Sequence, residues 1–196
     1  MTRKSKEKSP SPVGSIYRRW HLGKTAHDAL TTEFEWAMLR FHQAFERWAL
    51  QVTASCGYAD ASFSEVTILH ATRMHGQPCT AALIARQLNR DDIPNLQYSL
   101  RKLVNQGYLA RNSDSRKNYT FEVTERGRQL TDRYAEIRHA VLTEQTREID
   151  AVDERLEDAV KLISMLTGQY DEAMRKATTY TLTPVDGPPD EDEKQN

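Results

Sequence analysis

Two cysteines, Cys56 and Cys79, are all that 196 residues contain, and their separation suits neither a zinc knuckle nor a redox pair. Both therefore read as free thiols. Glycine and proline are also scarce, at 8 and 7 residues, and most of the prolines sit near the two ends, so the stretch between is free to be helical. There is no glycine-rich phosphate loop and no nucleophile paired with a base, which argues against an enzyme and against a bound cofactor. His42, His70 and His75 offer no metal: the last two stand five residues apart, off a single helical face, with no carboxylate partner nearby. No apolar run approaches a membrane span, and the opening "MTRKSKEKSPSP" lacks the apolar stretch of a secretory signal, so a cytoplasmic protein is expected.

Charge is balanced overall, with 27 basic and 28 acidic side chains, but not along the chain. Residues 79–130 carry nine Lys or Arg against five acids, while residues 131–183 carry seven against eleven. A basic middle points to a partner with phosphates. Residues 1–15, rich in Lys, Ser and Pro, and residues 184–196, acidic and Pro-rich, read as disordered tails around one folded region, 16–183.

Two long helical stripes bracket that region. Phe34, Met38, Phe41, Phe45, Trp48 and Val52 recur at steps of three and four, marking a helix over 30–54. Ile149, Val152, Leu156, Ala159, Ile163, Leu166, Tyr170 and Ala173 continue the same alternation, against a face of Asp, Glu and Arg. An upstream stripe of Tyr134, Ile137 and Val141 loses register with it, which predicts a bend at 143–148 within the 125–178 region. Apolar surface of that length exceeds what a small middle domain can cover, so both ends are expected to join a second copy in a homodimer.

The middle, 62–124, reads differently. Ser62 and Glu65 form a capping box that opens a short helix closed by Gly76 and Pro78. Thr80 can cap "AALIARQLN", with Ala82, Leu83, Ala85 and Leu88 as its packing face. After the polar turn "NRDD", a third helix begins at a cap open between Asp91 and Asp92. It buries Leu96, Leu100, Leu103 and Val104 and ends at Gly107. Tyr108 and Leu109 then start one strand, and Tyr119, Phe121 and Val123 alternate with polar residues in its partner. Three helices followed by a two-stranded hairpin make a winged helix-turn-helix, so the fold is expected to be mainly α with a small β-hairpin.

In such a fold the third helix enters the major groove, and the hairpin loop follows the backbone or the minor groove. The helical period leaves Asn95, Gln97, Tyr98 and Arg101 outside the core, where Asn and Gln can pair with adenine and Arg with guanine, while Lys102 suits a phosphate. On the hairpin, Arg111 can donate to Asp114 or to a phosphate, Asp114 can brace Arg116, and Arg116 with Lys117 can reach a narrow minor groove. A winged helix can also serve protein–protein contact alone, without specific DNA. That is the competing expectation.

Together, "SFSEVTILHATRMHG", "TAALIARQLNRDDIPNLQYSLRKLVNQGYLAR", "DSR" and "VTERG" resemble the MarR family of transcription regulators over roughly residues 30–178. The family's wing Asp and Arg fall on Asp114 and Arg116, and its Thr-x-x-Gly on Thr124 and Gly127. The resemblance implies a dimer on pseudo-palindromic DNA. It also implies a crevice for a small, often aromatic effector, to which Trp48, Cys56, His70 and Arg73 lie close in sequence.

Overall fold

The computed structural model describes residues 20–115 and 118–180, so Arg116, Lys117 and both tails lie outside the described residues; of Asp114 only the backbone is described. The described residues fall into two compact units, divided between Leu142 and Thr143.

The first unit opens with α1 (Ala26–Ser55), which starts four residues ahead of the expected position 30. Thr25 and Asp28 form a reciprocal capping box, with each backbone N–H donating to the other's side chain at 2.8 and 3.0 Å. Of the expected stripe, Phe34, Met38 and Trp48 are half-buried, Phe41 and Phe45 are exposed and Val52 is buried; Trp36 and Leu39 beside it are exposed too, while Ala29 and Thr32 near the start and Ala49 and Thr53 near the end are buried. Ahead of the helix, Trp20 lies back against Trp36 with ring centroids 5.4 Å apart.

Next come α2 (Phe63–His75), β1 (Cys79–Thr80), α3 (Ala81–Gln87), α4 (Ile93–Asn105), the hairpin β2 (Leu109–Ser115) and β3 (Asn118–Val123), and α5 (Glu125–Arg138). The local signals act as read. Ser62 caps α2 in a box with Glu65, Gly76 ends it in the left-handed conformation, and Thr80 caps α3. Asp92 is the residue that precedes α4. The core gathers Ile68 and Leu69 of α2, Ile84 of α3, the Leu96, Leu100 and Leu103 face of α4, Phe121 and Val123 of β3, and Leu130 and Tyr134 of α5.

Three expectations need correction. The sheet has three strands rather than two, in the order β1-β3-β2, with Cys79 opposite Phe121 and Thr80 opposite Thr120. A two-residue strand whose second residue is a helix cap carries no periodicity, so β1 could not be read from pattern. In α3 the fully buried residue is Ile84, and Ala82 is exposed. Ala85 lies in the core as expected and Leu83 and Leu88 pack against it, so the departures are Ala82, which faces out, and Ile84 with Ala81, which face in. Tyr119 is 37% exposed: it shares the sheet face of Phe121 and Val123, but it lies where the hairpin has run past the core.

At the end of the first unit α5 passes into a π-helical turn, His139–Thr143. The second unit holds one short turn, α6 (Glu144–Thr146), and α7 (Val152–Ala177), which begins after Ala151 at φ 51°. The predicted break at 143–148 therefore falls where the periodic pattern lost register. None of the residues of α7 is buried. Leu156, Val160, Ile163, Tyr170 and Met174 are all exposed along it.

Candidate nucleic-acid interface

The fold gives α4 two unlike sides. Leu96, Leu100 and Leu103 are almost fully buried, while Asn95, Gln97, Tyr98 and Arg101 are exposed, Tyr98 at 62%. The exposed set carries amide donors and acceptors, a phenol and a guanidinium on a rigid helix, which is the chemistry that reads base edges in a major groove. Asn95 also extends its amide to the Asp92 carboxylate at 3.5 Å.

Lys102 is placed differently. Its Nζ stands 3.1 Å from the carboxylate of Glu65 and also donates to the carbonyl of Asp60. Glu65 is buried, and its other oxygen accepts from the hydroxyl of Tyr58 and the backbone N–H of Ser62. Burial by itself would raise this carboxyl. The donors Tyr58, Lys102 and Ser62 outweigh it and hold the group below the ordinary range, so Glu65 is a carboxylate at neutral pH. The same hydrogen bond and charge, added to burial, push the Tyr58 phenol far up. Lys102 is thus drawn inward, and its ammonium is engaged by the chain itself.

A second grip holds the other end of α4. Arg90, in the turn after α3, donates from Nε and Nη2 to the two carboxylate oxygens of Asp92 at 2.7 and 2.6 Å. Its remaining nitrogen donates to Ser64 Oγ of α2 at 2.6 Å, and Ser64 lies 3.0 Å from Ser99 Oγ of α4. Sequence reading passed over Arg90 as part of a polar turn. The Arg-x-Asp spacing just ahead of the helix was the available signal.

On the hairpin, Arg111 lays its guanidinium over the Tyr119 ring at 3.7 Å, a cation–π contact between diagonal neighbours on one sheet face. Asn112 and Glu122 pair across the strands at 2.9 Å. The expected brace between Asp114 and Arg116 lies outside the described residues.

Behind this surface, α1, α2 and α5 enclose an open cavity of about 520 Å³. Phe45, Trp48, Phe63 and Tyr134 supply aromatic walls, and His70 and Arg73 supply polar ones. Three of the four residues expected at a crevice, Trp48, His70 and Arg73, are brought together here; Cys56 is in the core and is not among the lining residues. Burial pushes the thiols of both Cys56 and Cys79 up, away from the reactive thiolate. Arg73 ties α2 to α5 through Asp132 at 2.6 Å and the carbonyl of Arg128 at 2.8 Å. His70 packs on Tyr134 with centroids 4.4 Å apart, and its buried Nε2 has no hydrogen-bond partner among the described residues. Among the described residues no three potential metal ligands come together.

Burial, and then the positive charge of Arg73, lower the His70 pKa from 6.5. The unfolded chain therefore binds a proton more readily than the folded one, and this residue removes stability as pH falls below about 6.5. Thermal melting between pH 7.5 and 5 should show a smaller acid decline in His70→Gln than in the wild type. Parallel declines would show that this imidazole does not titrate in that range.

No helix among the described residues is long and apolar enough to cross a membrane. Residues 62–127 match the winged helix DNA-binding domain family. No curated protein matches the chain in sequence. Among solved structures, a MarR family transcription regulator aligns at TM-score 0.59 and 15% identity, over 77% of this chain and 99% of its own. The S. aureus MepR–DNA complex aligns at TM-score 0.55 and 16% identity, over 69% and 96% of the two chains. The organohalide-sensing regulator RdhR, in its 2,4-dichlorophenol-bound form, aligns at 0.54 and 18%, over 81% and 90%. Residues 62–127 accordingly match the winged helix DNA-binding domain family, and the chain that carries them has the fold of the MarR family transcription regulators.

Proposed function

We propose that the chain is a homodimeric, sequence-specific DNA-binding transcription regulator acting in the cytoplasm, and not an enzyme. The observation that carries the reading is α4, whose leucine face is sealed in the core while Asn95, Gln97, Tyr98 and Arg101 face outward together. Each copy sets this face into a major groove, with half-sites about 10 base pairs apart on a pseudo-palindromic operator. The hairpin follows the flanking backbone or minor groove, with Arg111, Arg116 and Lys117 as its cations. Asp114 aims the tip. Lys102, engaged by Glu65, supports the helix instead of holding a phosphate.

The dimer reading rests on the uncovered apolar surface of α7 and, within the first unit, of α1. A second copy is the occupant that suits stripes of this length and period. The cavity is the site proposed for a small aromatic effector: its volume lies in the range of ligand pockets, and its aromatic walls carry one unpartnered buried nitrogen, His70 Nε2. The solved relative that holds 2,4-dichlorophenol supports an effector of that size.

The test is selection of random duplexes on the purified protein, followed by competition with scrambled DNA. Gln97→Ala and Arg101→Ala should each narrow discrimination at particular positions by about 1–3 kcal/mol per lost bidentate contact. Wild-type discrimination in both variants would remove α4 from base reading. Failure to enrich any sequence would leave the winged helix as a protein–protein contact module.

A further inference from the structure

We propose that Arg90 is the positioning residue of the recognition helix, setting the angle at which α4 meets DNA without touching DNA itself. This rests on the reading of α4 as the DNA-reading element. The family match does not single out this side chain, and in sequence only the Arg-x-Asp spacing marks it.

The geometry of the guanidinium carries the argument. All three of its nitrogens are committed: Nε and Nη2 form a two-point fork on the Asp92 carboxylate, and Nη1 donates to Ser64 Oγ. A planar fork on a planar carboxylate fixes direction as well as distance. Asp92 precedes the first residue of α4, and its side chain makes no cap hydrogen bond to the helix, because both oxygens are turned to Arg90 and the amide of Asn95. The helix start can release that capping interaction. Pro94 in the first turn has no N–H to satisfy, the Ile93 N–H reaches the Asp91 carbonyl, and those of Asn95 and Leu96 reach the Asp92 carbonyl.

The carboxylate thus joins the helix to the turn, and the guanidinium joins the turn to α2. Ser64 then returns to α4 at Ser99, which is buried. Arg90, Asp92, Ser64 and Ser99 make a circuit that meets the residue just ahead of α4, Asp92, and the helix itself at Ser99. The packed leucines fix which face of α4 is buried, and so set its rotation coarsely. The directional hydrogen bonds of the tether set the finer angle, on which the reach of Gln97 and Arg101 to base edges depends.

A lysine or a neutral group cannot reproduce this. Lys can meet Asp92 or Ser64, but not both with a fixed plane. A group that contacted phosphate would instead be a free cation, and Arg90 is not free: the two Asp92 hydrogen bonds raise its pKa and lower that of Asp92.

The experiment uses the full-length protein and an operator selected on the wild type. Affinities of wild type, Arg90→Gln and Arg90→Lys are measured for that operator and for a scrambled duplex across a salt series. The expected result is a drop of roughly tenfold in the operator-to-scrambled ratio for Arg90→Gln, with scrambled affinity and salt slope unchanged and Arg90→Lys in between. A fall in both affinities with a shallower salt slope would overturn the proposal, by making Arg90 a phosphate contact. An equal fall on both duplexes with no change of slope would also overturn it, reducing Arg90 to stability alone. Should Arg90→Gln fail to fold, the ratio for Arg90→Lys decides the matter in the same way. If the wild type enriches no sequence, the DNA reading fails and takes this one with it, whereas a variant that discriminates as well as the wild type sinks this one only.

Discussion

Replacing Lys102 by methionine is expected to destabilise the protein by about 3 kcal/mol while leaving the salt dependence of DNA binding unchanged. The stem of the side chain is kept, so packing changes little. The ammonium is lost, and a buried Glu65 carboxylate keeps only Tyr58 and Ser62 as donors. Removing one partner of a buried pair typically costs about 3–5 kcal/mol, and the lower end applies because Lys102 is 30% exposed and shares its charge with water. The sign with pH is also set. In the wild type the Glu65 pKa is lowered, so its contribution is present above the ordinary carboxylate pKa and is lost as pH falls through the folded value. In Lys102→Met the carboxyl titrates higher, and the deficit against wild type should be greatest at neutral pH and shrink on acidification. Urea unfolding at two pH values measures this. A shallower salt slope with intact stability would return Lys102 to the DNA backbone.

Gly127→Ala should cost about 3 kcal/mol or more, although alanine is the better helix former by about 1 kcal/mol. A Cβ at this position would be driven into the backbone carbonyl of Tyr108 and come within 2.7 Å of Val123 Cγ1. A side-chain atom could rotate away, but the carbonyl cannot, since it already accepts from the Thr124 hydroxyl and the Thr124 N–H at 3.1 Å each. The glycine is needed for this close approach rather than for a special dihedral. Thermal unfolding with α5 amide exchange tests the expectation; an unchanged melting temperature would mean that α5 can slide off the hairpin at little cost.

What was legible in the sequence was whatever has a period or a cap. Leu96, Leu100 and Leu103 announced the buried side of α4 by spacing, and the complement of that face was the candidate reading surface. Ser62 and Thr80 announced helix starts because short side chains there satisfy free amides. Contacts between segments far apart in sequence were not legible. Glu65 read as half of a capping box, and nothing local revealed that Tyr58 and Lys102 would converge on it. Arg90 looked like any charged turn residue, because its meaning lies in Ser64, 26 positions earlier. Tyr119 misled in the opposite direction: strict alternation gives the face of a strand but says nothing of how far along the strand the core extends.

Thr80 both ends β1 and caps α3, and its strand partner is Thr120 at the middle of β3. The hairpin is consequently tied to the helix-turn-helix not only by the shared core but by a two-residue ladder whose last member is also the cap of α3. A torque applied at the wing has in that ladder a direct path to the start of α3. On the proposed reading, groove geometry met by the wing and base identity met by α4 would be coupled readings, joined at residue 80.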